Sequence, residues 1–127
     1  INVCITDSKL NVRAEGKNIS GIYSAYANNG SINIIRCDVS MKFNGELIHG
    51  VGFENGFGSI TSEDSSCDIR MDGANCFALG SCDRNAKVFL NRCGGNIVLF
   101  SDNPHMLSAN KDNVSVKDCN FSRYSGT

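Results

Sequence analysis

Cysteine recurs along this 127-residue chain at nearly regular intervals, and the recurrence restricts the fold more than any other feature. Cys37, Cys67, Cys93 and Cys119 lie 30, 26 and 26 residues apart, and Ser8 stands 29 before Cys37. The flanks repeat with them. An alternating apolar pair precedes the anchors: Val3 and Ile5, Ile32 and Ile34, Val88 and Leu90, Val114 and Val116. Alternation resumes behind them as Leu10, Val12, Ala14, then Val39, Met41, Phe43, then Ile69, Met71, Gly73. In the fourth copy a Gly94-Gly95 insertion shifts it to residues 97–100. A third apolar segment closes each complete copy, at 21–25, 50–53, 76–79 and 105–109. Period-two alternation in runs this short denotes strands. Turn signals such as Asn44-Gly45, Glu54-Asn55-Gly56, Asp72-Gly73 and Asp102-Asn103-Pro104 punctuate them.

Three strands per period predict an all-β parallel β-helix, a solenoid of four to five coils of 26–30 residues, forming one domain over 1–127. A single period cannot bury its own apolar face, but stacking on the next completes a core. A β-trefoil needs three longer units, and an antiparallel sandwich has no positional recurrence. The polar composition agrees, because 16 Asn, 15 Ser and 13 Gly loosen or compete with helical backbone. The third coil is the weakest. Ser62-Glu63-Asp64 stands where an apolar pair is expected, which predicts a loop or distorted strand there.

Charge and hydropathy exclude some functions. With 12 basic and 13 acidic residues the net charge is −1, without the basic surplus of a nucleic-acid binder. No apolar run reaches the roughly 18 residues needed to cross a membrane as a helix. The chain begins with Ile1 and reads as a processed protein or an excised piece of a longer one. Open strand edges at the two ends of such a solenoid predict a structural or assembly role, a homo-oligomer joined end to end, as one alternative.

The segments Ile32-Asn33-Ile34-Ile35-Arg36-Cys37-Asp38-Val39 and Val114-Ser115-Val116-Lys117-Asp118-Cys119 resemble the right-handed parallel β-helix superfamily, the pectate-lyase-like fold. More narrowly, their rhythm is similar to carbohydrate-binding repeat modules of Firmicutes. The resemblance implies an extracellular or cell-surface module that recognises polysaccharide, with calcium as the candidate cofactor. It also implies a second alternative, a minimal acidic-polysaccharide lyase with Arg70 as base. The lyases that the chain resembles have many more coils, so a non-catalytic binding module is expected here.

Asp38 and Asp68 each follow an anchor cysteine, which predicts that they stack one coil apart and share a calcium ion. Lys42, Arg70 and Asp72 fall on the same outward face, and the bland alternative for all five is a solvated mixture of charges. Tyr23, Tyr26 and Phe57 are expected as surface rings able to stack on sugars, and Phe53 as core. His49, Cys76 and His105, spaced near one and two periods, raise a zinc column, set against ordinary turn histidines. The odd count of seven cysteines leaves at least one unpaired, and interior anchors predict reduced thiols. Reduced thiols fit a reducing compartment; an anaerobe's surface reconciles them with an extracellular module.

Overall fold

The computed structural model describes residues 2–26 and 29–126, with the backbone alone for Tyr26 and residues 123–126. Strands β1 (Asn2–Thr6), β2 (Lys9–Glu15) and β3 (Asn18–Tyr26) make the first coil. The second is β4 (Ser31–Ile35) and β5 (Asp38–Asn55), and the third is β6 (Ser59–Glu63) and β7 (Ser66–Ser81). The fourth contains β8 (Lys87–Asn91), β9 (Gly94–Phe100) and β10 (Asn103–Ser108), and β11 (Val114–Lys117) with β12 (Asn120–Gly126) begins a fifth. All pairings between coils are parallel. The chain is an all-β parallel solenoid of about four turns.

Three faces result. The first stacks β1, β4, β6, β8 and β11. The second stacks β2, the first half of β5, the first half of β7, β9 and β12; the third stacks β3, the second halves of β5 and β7, and β10. Strands β5 and β7 thus pass through the bend between the second and third faces without a break. Gly45 and Gly73 stand at that bend in register. A Cβ on either would run into the carbonyl oxygen of the glycine one coil earlier, Gly16 or Gly45.

Each strand alternates inward and outward side chains, as period-two patterning requires. Inward rows then stack into ladders: Ile32, Ile60 and Val88 on the first face, Met41, Ile69 and Ile97 on the second. These side chains are 0–2 % exposed, and burying each contributes about 1.5–3 kcal/mol. The third coil departs from expectation in a definite way. Its first strand is regular: β6 spans Ser59–Glu63, and Ser62 takes an inward place at 3 % exposure. The Cys93 thiol donates to the Ser62 carbonyl at 3.1 Å and its hydroxyl at 3.4 Å, so the buried hydroxyl is partnered.

The register also corrects the anchor. Asp38 pairs with Ser66 and Val39 with Cys67, so Ser65, not Cys67, occupies the corner place of Cys37. With Ser65 as anchor the spacings from Ser8 become 29, 28, 28 and 26, and β9 continues β7 with no insertion, Ile69 facing Ile97. Local chemistry explains the choice. At all five corners a small donor closes the turn onto the carbonyl two residues back: Ser8 to Thr6, Cys37 to Ile35, Ser65 to Glu63, Cys93 to Asn91 and Cys119 to Lys117. Serine and cysteine both meet that requirement, whereas Cys67 serves the core, where burial first of all pushes its thiol up to about 12.

The residue before each anchor is held in the left-handed region. Asp7, Arg36, Asp64, Arg92 and Asp118 have φ of 50, 53, 51, 52 and 53°. Acid and base alternate up this corner. Arg36 donates to both carboxylate oxygens of Asp7 at 2.6 and 2.9 Å, and Arg92 does the same to Asp64 at 2.5 and 3.0 Å. These fork-shaped contacts hold the Asp7 and Asp64 carboxyls below their ordinary range. All seven cysteines are free, Cys76 and Cys82 included, in keeping with the expected reduced thiols.

Candidate functional site

The outward residues of the second face are polar on almost every rung, and the register sorts them into columns. Lys9, Asp38, Ser66 and Gly94 form one; Asn11, Ser40 and Asp68 the next; Arg13, Lys42, Arg70 and Val98 a third; Glu15, Asn44, Asp72 and Phe100 the last. Four cations and four carboxylates share this face, but three of the cations stand directly above one another. Strands about 4.8 Å apart place Arg13, Lys42 and Arg70 on successive rungs of one column, a like-charge arrangement that sheets ordinarily avoid. Among the described residues the ion pairs are Arg36–Asp7, Arg92–Asp64 and His49–Glu54, so none of the three is drawn into one. Arg70 instead lies over the Phe100 ring at 5.0 Å from its centroid.

Open depressions lie along this face, two of them lined by the column. One of ≈ 600 Å³ is lined by Arg13, Glu15, Lys42, Asn44, Arg70 and Asp72. Two of ≈ 330 Å³ each continue along the same face, one past Arg70, Asn96 and Val98 and the other past Lys9, Asp38 and Asp68. Together they trace the length of the sheet, with cationic donors in the middle and carboxylate and amide groups along both sides. Such a surface is suited to an extended polar chain lying across the strands.

Five of the residues singled out from the sequence therefore share one face: Asp38, Asp68, Lys42, Arg70 and Asp72. The expected stacking of the two aspartates does not occur. Asp38 pairs with Ser66 and Asp68 with Ser40, which sets the carboxylates diagonally, two residues out of step. Each is also engaged one coil on. Asp38 accepts from the Ser66 hydroxyl at 2.8 Å, and Asp68 from the Asn96 backbone and side-chain nitrogens at 3.0 and 3.1 Å. This is a poor fit to a shared calcium ion, which wants several free oxygens converging on one point. Arg13, which completes the cationic column, stands between Val12 and Ala14 as Lys42 stands between Met41 and Phe43, and the corrected third-coil register adds Arg70 to the pair.

The ring residues divide. Tyr23 lies on the third face, packed at 4.5 Å against the His49 ring, and Phe57 is 67 % exposed between the third and first faces. The Tyr26 side chain is outside the described residues. Phe53 is core, at 1 % exposure. The histidine column is present with a different middle member: His49 pairs with Phe77 and Phe77 with His105, while the neighbouring Cys76 is fully buried in the core. The rings stack at 5.4 and 4.6 Å. Burial lowers the pKa of both histidines.

No protein-family model, curated protein or solved structure matches this chain.

Proposed function

We propose that the chain is a non-catalytic binding module whose second face takes an acidic polysaccharide. The in-register column of Arg13, Lys42 and Arg70, outside the ion pairs of the described residues, carries this reading. Stacked like charges oppose folding, and an anionic polymer lying across the strands relieves that repulsion. Sugar carboxylates would meet the column, and hydroxyls would meet Asp38, Asp68, Asp72 and Asn44 on either side. The likeness of the repeat to carbohydrate-binding modules points the same way. Because Asp38 and Asp68 are diagonal and engaged, binding does not require calcium.

Calorimetric titration with oligogalacturonide, in calcium and in chelator, tests the proposal. Equal affinity in both, no unsaturated product, and loss of heat in an Arg13→Gln, Lys42→Gln, Arg70→Gln variant are expected. No heat in either buffer would overturn it.

A further inference from the structure

Among the described residues a cluster of three metal-ligating side chains lies on the third face, away from the cationic column. His49 Nε2 is 3.1 Å from Cys82 Sγ and 3.5 Å from a Glu54 carboxylate oxygen. All three ligand atoms lie within 4.8 Å of one another. Around a tetrahedral zinc ion, with bonds of roughly 2.0–2.3 Å, neighbouring nitrogen, oxygen and sulfur donors stand about 3.3–3.6 Å apart. We propose that His49, Glu54 and Cys82 form a binding site for a divalent metal of the zinc class.

The fold builds this site from positions that do not look related in the chain. Glu54 lies five positions after His49, and in a regular strand an odd offset puts side chains on opposite faces. Between them Gly52 has φ of 149°, and a Cβ there would run into the carbonyl oxygen of Gly80. Backbone of that kind needs glycine. Across the coil, the Cys82 N–H is shared between the carbonyls of Phe53 and Glu54 at 3.3 and 3.1 Å, which fixes the thiol beside the carboxylate.

The ligands are also oriented. The His49 ring lies between those of Tyr23 and Phe77, at 4.5 and 5.4 Å, and only 7 % of the residue is exposed. The Tyr23 hydroxyl donates to the same Glu54 oxygen that faces His49. It is thus a positioning group behind a ligand, of the kind metal sites use to hold a carboxylate. Glu54 is 42 % exposed at its side chain, so an ion reaches the site from solvent. A nitrogen, a sulfur and an oxygen donor with one position left open suit zinc better than calcium or magnesium, which take oxygen. On binding, the Cys82 thiol gives its proton to solvent and coordinates as thiolate.

Cobalt(II) is the probe, added to the reduced protein, with zinc as competitor. One equivalent should produce a thiolate-to-cobalt charge-transfer band and the visible bands of tetrahedral cobalt, both bleached by zinc. Cys82→Ser should abolish the charge-transfer band, whereas Cys4→Ser and Cys119→Ser should keep it. Tyr23→Phe should keep the band and weaken affinity by about 10–100-fold, as loss of a supporting hydrogen bond does. Circular dichroism checks the fold of each variant. If Cys82→Ser does not fold, Glu54→Gln, altered at a partly exposed side chain, should weaken binding and shift the visible bands. Absence of cobalt binding in the folded native protein overturns the assignment, as does a charge-transfer band that persists in folded Cys82→Ser. The oligosaccharide titration reads a different face, so either proposal can fail alone.

Discussion

Two charged columns run up this solenoid six residues apart in every coil, and they use repetition in opposite ways. At the corner, Asp7, Arg36, Asp64, Arg92 and Asp118 alternate in sign, and two arginines close fork-shaped pairs with the coil before. On the second face, Arg13, Lys42 and Arg70 repeat one sign and form no ion pair among the described residues. Four of the five corner residues pair with one another. The face column accumulates charge of one sign, with the carboxylates of Glu15, Asp68 and Asp72 in the neighbouring columns. In a repeat protein, where any residue meets its own successor one coil on, self-pairing adds to stability and self-repulsion opposes it, and the second is what the proposed ligand would relieve.

The largest effect expected is on the core beneath both columns. Met71→Ala, between Arg70 and Asp72 and fully buried, should cost about 2–5 kcal/mol in denaturant unfolding. Oligogalacturonide affinity of the folded fraction should stay near native, separating support from recognition. Next comes the face column itself. Reversing Arg13, Lys42 and Arg70 together to Glu should weaken anionic-oligosaccharide binding by at least about 100-fold, because two charged hydrogen bonds lost at about 1.5 kcal/mol each already make that factor. Unchanged affinity in calorimetry would erase the contrast between the columns.

At the corner, Ser65→Ala removes the hydroxyl that accepts from the Cys37 N–H at 3.0 Å. Leaving that buried donor unmet should cost about 1–3 kcal/mol in chemical denaturation, whereas Ser65→Cys, the residue at three other corners, should restore most of it. A smaller effect of opposite sign is expected on the face. Lys42→Gln relieves like charges on both sides and should raise stability by about 0.2–1 kcal/mol while weakening binding. A variant that loses both would make Lys42 a structural residue.

The smallest change expected is in the response of the corner to acid. Because arginine hydrogen bonds lower the folded pKa of Asp7 and Asp64, their contribution is complete above the ordinary value of 3.8. It is lost as pH falls through the lower folded values. Melting temperature measured from neutral pH down through that range should fall less steeply in an Arg36→Gln, Arg92→Gln variant, and less steeply in high salt.

The strands and most of the core were legible in the chain because they depend on alternation over five or six residues, which a sequence displays directly. Val39, Met41, Phe43, Ile69 and Met71 are inward as their spacing requires. Matching cysteine to cysteine misled at one coil. Cys67 looks like the anchor, yet the corner selects a short side chain able to donate to the carbonyl two residues back, and Ser65 does this. A two-residue error of that kind preserves which face a side chain points to and changes which neighbour it meets. Asp38 and Asp68 accordingly share a face and are not abreast.

The sequence by itself determined the solenoid: its period, its three strands per coil, its interior thiols and the side of the sheet on which its charges lie. These follow from local patterning repeated until coils can bury one another. Only the tertiary structure decided which residues are neighbours. The column of Arg13, Lys42 and Arg70, the alternating corner, and the meeting of His49 with Glu54 and Cys82 all depend on register between coils and on a glycine bend. Both are set by how whole coils pack, with inward side chains and turn hydrogen bonds satisfied together, and no short stretch of chain contains that information.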